Sequence, residues 1–186
     1  MKFPLALGVI LLLVTVAFAQ KSNESIKSQI RALHAEKQLD LTYDAGSQSS
    51  KVMGRAENFS DSDAKAAGLQ AMNFGLAYFY SGNSLSASPE YINFTFWAMA
   101  KKPRFAGGSH WTATVGSQSI DLGDSRYVAK PSENMEYLNF RLKRDDLARI
   151  AASSAPVKFK LGGYDFTFTP SQMTLLKNII AVSDTR

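Results

Sequence analysis

The chain has 186 residues, of which 45% are hydrophobic and none is cysteine, and its formal net charge is +5 at pH 7. The lack of cysteine excludes disulfides, thiol nucleophiles, zinc–thiolate sites and a lipid anchor on an N-terminal cysteine. The positive excess is far below the dense basic stripe of a nucleic-acid-binding protein, so we expect no nucleic-acid partner.

The first 19 residues have the layout of a secretory signal peptide. Lys2 forms the positive n-region, an apolar run extends from Leu5 to Val16, and Ala17-Phe18-Ala19 fits a cleavage site before Gln20. The apolar run is shorter than the roughly 20 residues that span a bilayer, so an uncleaved anchor is the less favoured alternative. We therefore predict a secreted or periplasmic protein in which residues 20–186 form a single domain.

The segment that follows predicts one amphipathic helix and then strands. An apolar stripe at helical spacing runs through residues 22–37, with Ser22 or Asn23 as the N-cap. The alternation of apolar and polar residues in QLDLTYDA predicts a half-buried strand, and KVMGRAENF predicts a second one. SDSDAKAAGLQ combines cap-forming residues with alanines and predicts a short helix or an ordered loop.

Residues 71–100 are rich in aromatic side chains and predict an antiparallel hairpin. Alternate residues of EYINFTFWAMAKK share a face, so Phe94 and Phe96 lie on one face and Tyr91 and Trp97 on the other. Both faces of the hairpin therefore carry aromatic area. Our main interpretation is a sheet covered on both sides, and the alternative is one face left open as a binding surface.

Hairpins, a short helix and a terminal helix are predicted in the remaining chain. HWTATVGSQSIDLGD reads as a hairpin, SRYVAKPSENMEYLNFRL as two strands around a turn, and KRDDLARIAASSAP as a helix that ends before Pro156. In residues 157–180, Gly162-Gly163 forms a hairpin turn, and residues 169–172 fit a capping box with proline at the first helical position. We predict an α+β fold, a mainly antiparallel β-sheet of about seven to nine strands with an N-terminal amphipathic helix and a C-terminal hairpin–helix unit.

The run NFRLKRDDLARIAASSAPVKFKLGGYDFTFTPSQMTLLKNIIAV contains a strand, a helix with Asp-Leu-x-x-Ile-Ala, a strand ending in Leu-Gly, an aromatic strand and a terminal helix. In this order it resembles the C-terminal part of a loosely defined group of uncharacterised exported bacterial proteins. The match covers residues 135–182, and residues 71–130 match weakly. The resemblance implies a bacterial envelope or secreted setting, and it implies no activity and no catalytic residues.

His110 is the stronger of the two histidines as a candidate for catalysis. It follows a Gly-Gly-Ser loop, and the neighbouring Ser109 offers a hydroxyl. A serine hydrolase needs serine, histidine and a carboxylate that converge in space, which adjacency does not guarantee, and the chain has no G-x-S-x-G elbow. The alternative is a histidine at a strand edge that makes ordinary hydrogen bonds.

Asp61 and Asp63 are the candidates for a metal site, because calcium takes six or more oxygen ligands. The glycine and closing glutamate of an EF-hand loop are missing, so the favoured alternative is that the two aspartates form an N-cap pair before Ala64. The chain has no P-loop, dinucleotide-binding glycine motif or zinc motif, and we predict no cofactor. Glycosylation sequons begin at Asn23, Asn58 and Asn93.

The densest basic cluster consists of Lys101, Lys102 and Arg104, followed by Phe105. With Trp111, it could bind an anionic envelope component, a glycan or a protein partner. The alternative is a solvated loop whose charges keep a sheet edge from pairing with other chains.

These observations favour an exported noncatalytic binding or accessory domain of unknown ligand, associated with the envelope. One alternative is a hydrolase of unrecognised type that uses His110. Another is a structural subunit that acts through self-association or a partner, using an open sheet edge or the helix at 22–37.

Overall fold

The alternating segments of the sequence form strands, and the strands divide between two main sheets. A computed structural model describes residues 20–185, and the predicted signal peptide lies outside the described residues. This part of the chain contains the strands β1 (Lys21–Ser22), β2 (Leu39–Asp44), β3 (Ser49–Arg55), β4 (Ala71–Ser81), β5 (Ser84–Leu85), β6 (Tyr91–Met99), β7 (His110–Val115), β8 (Gln118–Asp124), β9 (Arg126–Lys130), β10 (Met135–Lys143), β11 (Lys158–Leu161) and β12 (Tyr164–Thr167).

The helices begin where the sequence offers caps. They are α1 (Asn23–Ala32), α2 (Asp61–Ala66), α3 (Arg144–Ala151) and α4 (Pro170–Ser183), with a 3₁₀ turn at Pro131–Glu133. The Ser22 hydroxyl caps α1 by accepting a hydrogen bond from the Ser25 backbone N–H at 3.2 Å. α1 ends five residues before the predicted end at residue 37, because His34 adopts a left-handed φ of 50° that no helix continues through.

All strand pairs are antiparallel. A six-stranded sheet has the order β2-β3-β4-β6-β10-β9, a four-stranded sheet has the order β12-β11-β7-β8, and β1 pairs with β5. The predicted α+β domain with a C-terminal hairpin–helix unit is confirmed. The described residues contain more strands than expected, partly because β1 and β5 have two residues each and show no alternation.

Aromatic rings from both sheets interlock to form the core. Phe94 and Phe96 of β6 place their ring centroids 4.7 and 4.9 Å from the ring of Trp111 on β7. Phe159 of β11 stacks on Phe166 of β12 with the centroids 5.3 Å apart. All five side chains are at most 2% exposed, so the two sheets bury their facing sides against each other.

α4 closes the core next to β3, and two cations hold its C-terminus. Lys21 donates from Nζ to the Val182 carbonyl at 3.0 Å, and Arg144 donates from Nε to the Ser183 hydroxyl at 2.9 Å. Both positive charges lie where the helix dipole is negative. α1 and α3 also pack against α4, and within residues 20–185 no helix covers the outward side of the six-stranded sheet.

Candidate binding face

The outward-pointing side chains of β2, β3, β4, β6, β10 and β9 form a surface that we call the open face. Along β6, Phe94 and Phe96 point inward and are fully buried, whereas Met99 points outward and is 40% exposed. Phe79 on β4 is 55% exposed. Our main interpretation of the hairpin, a sheet covered on both sides, is therefore wrong for the described residues, and the alternative of one open face holds.

Trp97 forms the centre of the open face. A side chain at Gly75 on the neighbouring strand would collide with the Trp97 ring, so the indole lies across the glycine. Two shallow depressions flank this ring. One of about 290 Å³ includes Lys51 and Phe79, and the other, of about 370 Å³, includes Tyr137. The indole is thus accessible from both sides.

Cationic side chains lie over three aromatic rings of the open face. The Arg141 guanidinium is 4.2 Å from the Tyr91 ring centroid, and the Lys51 ammonium is 5.7 Å from that of Phe79. The Lys130 ammonium is 5.5 Å from the Tyr137 centroid. Such contacts are favourable and keep each cation beside an apolar surface.

The open face is strongly positive. Its acidic residues, Asp40 and Asp44, both lie on the edge strand β2. Its six basic residues are Lys51, Arg55, Arg126, Lys130, Arg141 and Lys143. Six basic side chains against two acidic ones give this face a formal charge of +4, compared with +5 for the whole chain, and such a surface attracts anions.

Two ionisable groups of the open face keep their neutral-pH charge state. A hydrogen bond to Glu133 raises the pKa of Lys130, which stays protonated. The neighbouring Glu90 raises the pKa of Tyr91 through a hydrogen bond, so this phenol stays neutral. Neither shift changes the charge of its group at neutral pH.

The two predicted catalytic residues do not form a nucleophile–base pair. His110 is half exposed, and its Nδ1 and Nε2 atoms lie 2.9 Å from Asp124 and 3.2 Å from Asp121. Ser109 is 6% exposed, and its hydroxyl has no hydrogen-bond partner among the described residues. Two carboxylates are thus within reach of His110, but the Ser109 hydroxyl is not hydrogen-bonded to the imidazole. The structure therefore does not support Ser109 as a nucleophile activated by His110.

The two aromatic residues of the predicted basic binding cluster are buried in the core. Phe105 is 2% exposed and Trp111 is fully buried, so neither can contact a ligand at the surface, which corrects the prediction for both. Backbone N–H groups of Arg104 and Phe105 donate to the buried Glu136 carboxylate at 2.8 and 3.0 Å. These bonds pull the chain inward at Phe105 and leave only the charged loop that contains Lys101 and Lys102 exposed.

Asp61 and Asp63 lie in the first turn of α2, so the aspartates mark a helix start as the alternative expected, but the N-cap is Ser60 and not the aspartate pair. The Ser60 hydroxyl caps this helix by accepting from the Asp63 backbone N–H at 3.2 Å. An Asp63 carboxylate oxygen accepts from the Thr167 backbone N–H at 2.9 Å, which ties α2 to β12. No group of three or more metal-ligating side chains that could hold an ion occurs in residues 20–185.

A groove on the four-stranded sheet has a lining in which positive and negative charges balance. This groove of about 670 Å³ is lined by Thr112, Thr114, Lys158, Lys160 and Asp165, among others. Lys160 and Asp165 form an exposed ion pair at 3.7 Å. The groove offers neither an exposed ring nor a net charge comparable with that of the open face.

Sequence reasoning did not find the basic residues of the open face. They come from strands that are far apart in the chain, and no short segment contains more than two of them. The available signal was their spacing, since Arg141 and Lys143 are two apart and Arg126 and Lys130 are four apart, so each pair shares one face of a strand.

Comparisons with protein families, curated proteins and solved structures gave no match to this chain. Between residues 20 and 185, none of the helices has the length and hydropathy needed to cross a membrane.

Proposed function

We propose that this protein is an exported, noncatalytic binding domain whose open face binds an anionic polysaccharide. The observation that carries the proposal is a sheet face, uncovered in the described residues, that presents Trp97 together with six basic residues. Export is the expectation from the N-terminal sequence, and the resemblance to exported bacterial proteins agrees with it.

The ring positions suit an extended sugar chain. Trp97 and Tyr137 are direct cross-strand neighbours, so their side chains lie side by side on the open face, with the Lys130 ammonium over the Tyr137 ring. A pyranose ring presents C–H groups on its flat side, and these pack on an aromatic face while the sugar hydroxyls stay in water. The shallow depressions beside Trp97 suit a repeating polymer better than a small molecule that needs a closed pocket.

The charge of the open face selects an acidic polymer over a neutral one. Arg126, Arg141 and Lys143 are exposed on adjacent strands and can contact carboxylate or sulfate groups of successive sugars. A single-stranded nucleic acid would also fit stacking rings and cations, but an exported protein meets acidic glycans in the envelope and outside the cell.

The test is a titration of the purified protein with a polyuronate, a sulfated polysaccharide and a neutral glucan, followed by tryptophan fluorescence for the natural protein and by calorimetry for the variants. Trp97 is partly exposed and Trp111 is buried, so Trp97 is the tryptophan that a ligand on the open face reaches. We expect saturable binding of the acidic polymers at low salt, and weaker binding as salt is added.

Variants show whether binding depends on the open face itself or only on the positive charge of the whole protein. Trp97→Ala and Arg141→Ala should each weaken binding about tenfold. Lys158→Ala with Lys160→Ala, on the other sheet, is the matched control and should leave binding unchanged. Equal losses in the control and in Arg141→Ala would contradict the proposal, and so would tighter binding of single-stranded DNA than of either acidic polysaccharide.

A further inference from the structure

We propose that copies of this protein associate head to tail, with β9 of one copy pairing antiparallel with β2 of the next. The two strands are the edges of the six-stranded sheet, and neither pairs on its outer side with any strand of residues 20–185. The pairing continues the sheet from one molecule to the next. This inference concerns the edges of the sheet and does not depend on the proposed function of the open face.

The two edges carry opposite charges. On the outer face, β2 presents Asp40 and Asp44, and β9 presents Arg126 and Lys130. The members of each pair are four residues apart, and all four side chains are exposed. Two β2 edges or two β9 edges would repel each other, whereas β2 and β9 attract.

A single register satisfies both charge pairs. In an antiparallel pairing that places Asp40 opposite Lys130, Asp44 falls opposite Arg126, because both pairs have the same spacing. The strand directions also agree. Successive strands of the six-stranded sheet alternate in direction, so β9 is antiparallel to β2, and a translated copy presents β2 in the direction and with the outer face that β9 requires.

The same register buries apolar side chains that are exposed in the isolated chain. It places Tyr43 of β2 next to Tyr127 of β9 on the inner face, and Thr42 next to Val128 on the outer face. Tyr43 is 42% exposed and Val128 is 41% exposed, and both belong to the few large hydrophobic side chains of the described residues that remain in solvent. A strand edge with exposed apolar groups is a template for another strand.

The charge pattern makes the contact heterologous. A heterologous contact that does not close into a ring propagates as an open chain, so the predicted species is a concentration-dependent series and not a symmetric dimer. Lys130 already contacts Glu133 at 3.4 Å, but both side chains are half exposed, and the ammonium can contact a second carboxylate.

The experiment is sedimentation velocity over a range of protein concentrations at low and high salt. For the natural protein we expect an average mass that rises with concentration past the dimer and falls as salt is added. Asp40→Lys and Lys130→Glu should each weaken association about tenfold, because each creates a like-charge pair at the contact. Asp165→Lys and Lys158→Glu make the same charge changes on the other sheet and should leave association unchanged.

A mixture of the Asp40→Lys and Lys130→Glu variants tests the proposed pairing most directly. In a one-to-one mixture, Lys130 of one variant meets Asp40 of the other, and the introduced Glu and Lys meet at the alternate contacts, so association should return. A natural protein that stays monomeric at low salt would overturn the proposal. A mass that stops at the dimer, or a mixture that stays as weak as its components, would overturn it as well.

Discussion

Trp97 can lie across β4 because residue 75 is glycine. Any side chain at that position would meet the indole, and the Gly54 carbonyl oxygen 3.2 Å from the Cβ position closes another direction. The glycine lowers the strand propensity of β4, and the large ring that covers it compensates by packing on the bare backbone. The orientation of the Trp97 indole therefore depends on the absence of a side chain at residue 75.

Gly75→Ala should displace the indole and weaken polysaccharide binding several-fold, at a cost of about 1 kcal/mol in the free energy of unfolding. Calorimetric titration and urea unfolding measure the two effects separately in either background. In a Trp97→Phe background, the smaller ring leaves room for the methyl group, so the added alanine should have little further effect. An equal effect of Gly75→Ala in both backgrounds would show that the clash with Trp97 is not the cause.

Tyr78 makes the stability of the protein sensitive to alkali. Its phenol is 1% exposed, and burial raises its pKa far above the ordinary value of 10.0. As pH rises above about 10, the unfolded chain loses a proton that the folded chain keeps, so the free energy of unfolding falls. Tyr78→Phe removes this proton and should make the alkaline decrease smaller, although burial also raises the pKa of Tyr80 and of Tyr127, which leaves part of it in place.

The substitution also removes the hydrogen bond from the Tyr78 hydroxyl to the Val182 carbonyl, 3.3 Å long, and should cost about 1 kcal/mol at neutral pH. Urea unfolding from about pH 8 to about pH 11 gives both quantities. Tyr43→Phe, at an exposed position, is the control and should keep the alkaline decrease. If Tyr78→Phe keeps the full decrease as well, the buried phenol is not its source.

Alternation in β7 correctly separates His110 from Trp111, but it does not tell which of them faces the core. Trp111 is buried because β11 places Leu161 directly beside it, 50 residues later in the chain. The ring nitrogen of Trp111 has no hydrogen-bond partner in the described residues. Because a buried tryptophan usually has such a partner, nothing in the sequence indicates that this one lies in the core. The prediction of a surface role for Trp111 was wrong for this reason.

The C-terminal hairpin and helix are the elements that the sequence predicts best. Gly162 and Gly163 adopt φ angles of 57° and 89°, which supply the tight turn between β11 and β12. Thr169 and Gln172 form the predicted capping box at the start of α4. All of these signals are local, so neighbouring residues alone specify the structure.

Phe166→Ala tests how much this unit contributes to the core. Phe166 is 1% exposed and packs against Phe59 and Phe159, so its removal should cost about 3–5 kcal/mol in the free energy of unfolding. Phe79→Ala, at a ring that is 55% exposed, is the matched control and should cost under about 1 kcal/mol. Equal losses measured by urea unfolding would contradict the assignment of the core to the space between the sheets.

At the scale of the whole molecule, the sequence predicts the fold class but not the open face. The pattern of strands and turns indicates an antiparallel α+β domain, and the structure confirms it. The open face requires β6 to pair with both β4 and β10, and β10 lies more than 30 residues further along the chain. Local alternation cannot specify such pairing, because it depends on long-range contacts in the aromatic core.

The most direct test of the open face is a map of backbone amide chemical shifts as an acidic oligosaccharide is added to the purified protein. We predict that the perturbed residues cluster around Trp97, Tyr137 and Arg141 on the outward side of the six-stranded sheet. Perturbations that cluster around Lys158 and Lys160 on the four-stranded sheet, or an unperturbed spectrum at saturating oligosaccharide, would contradict the account.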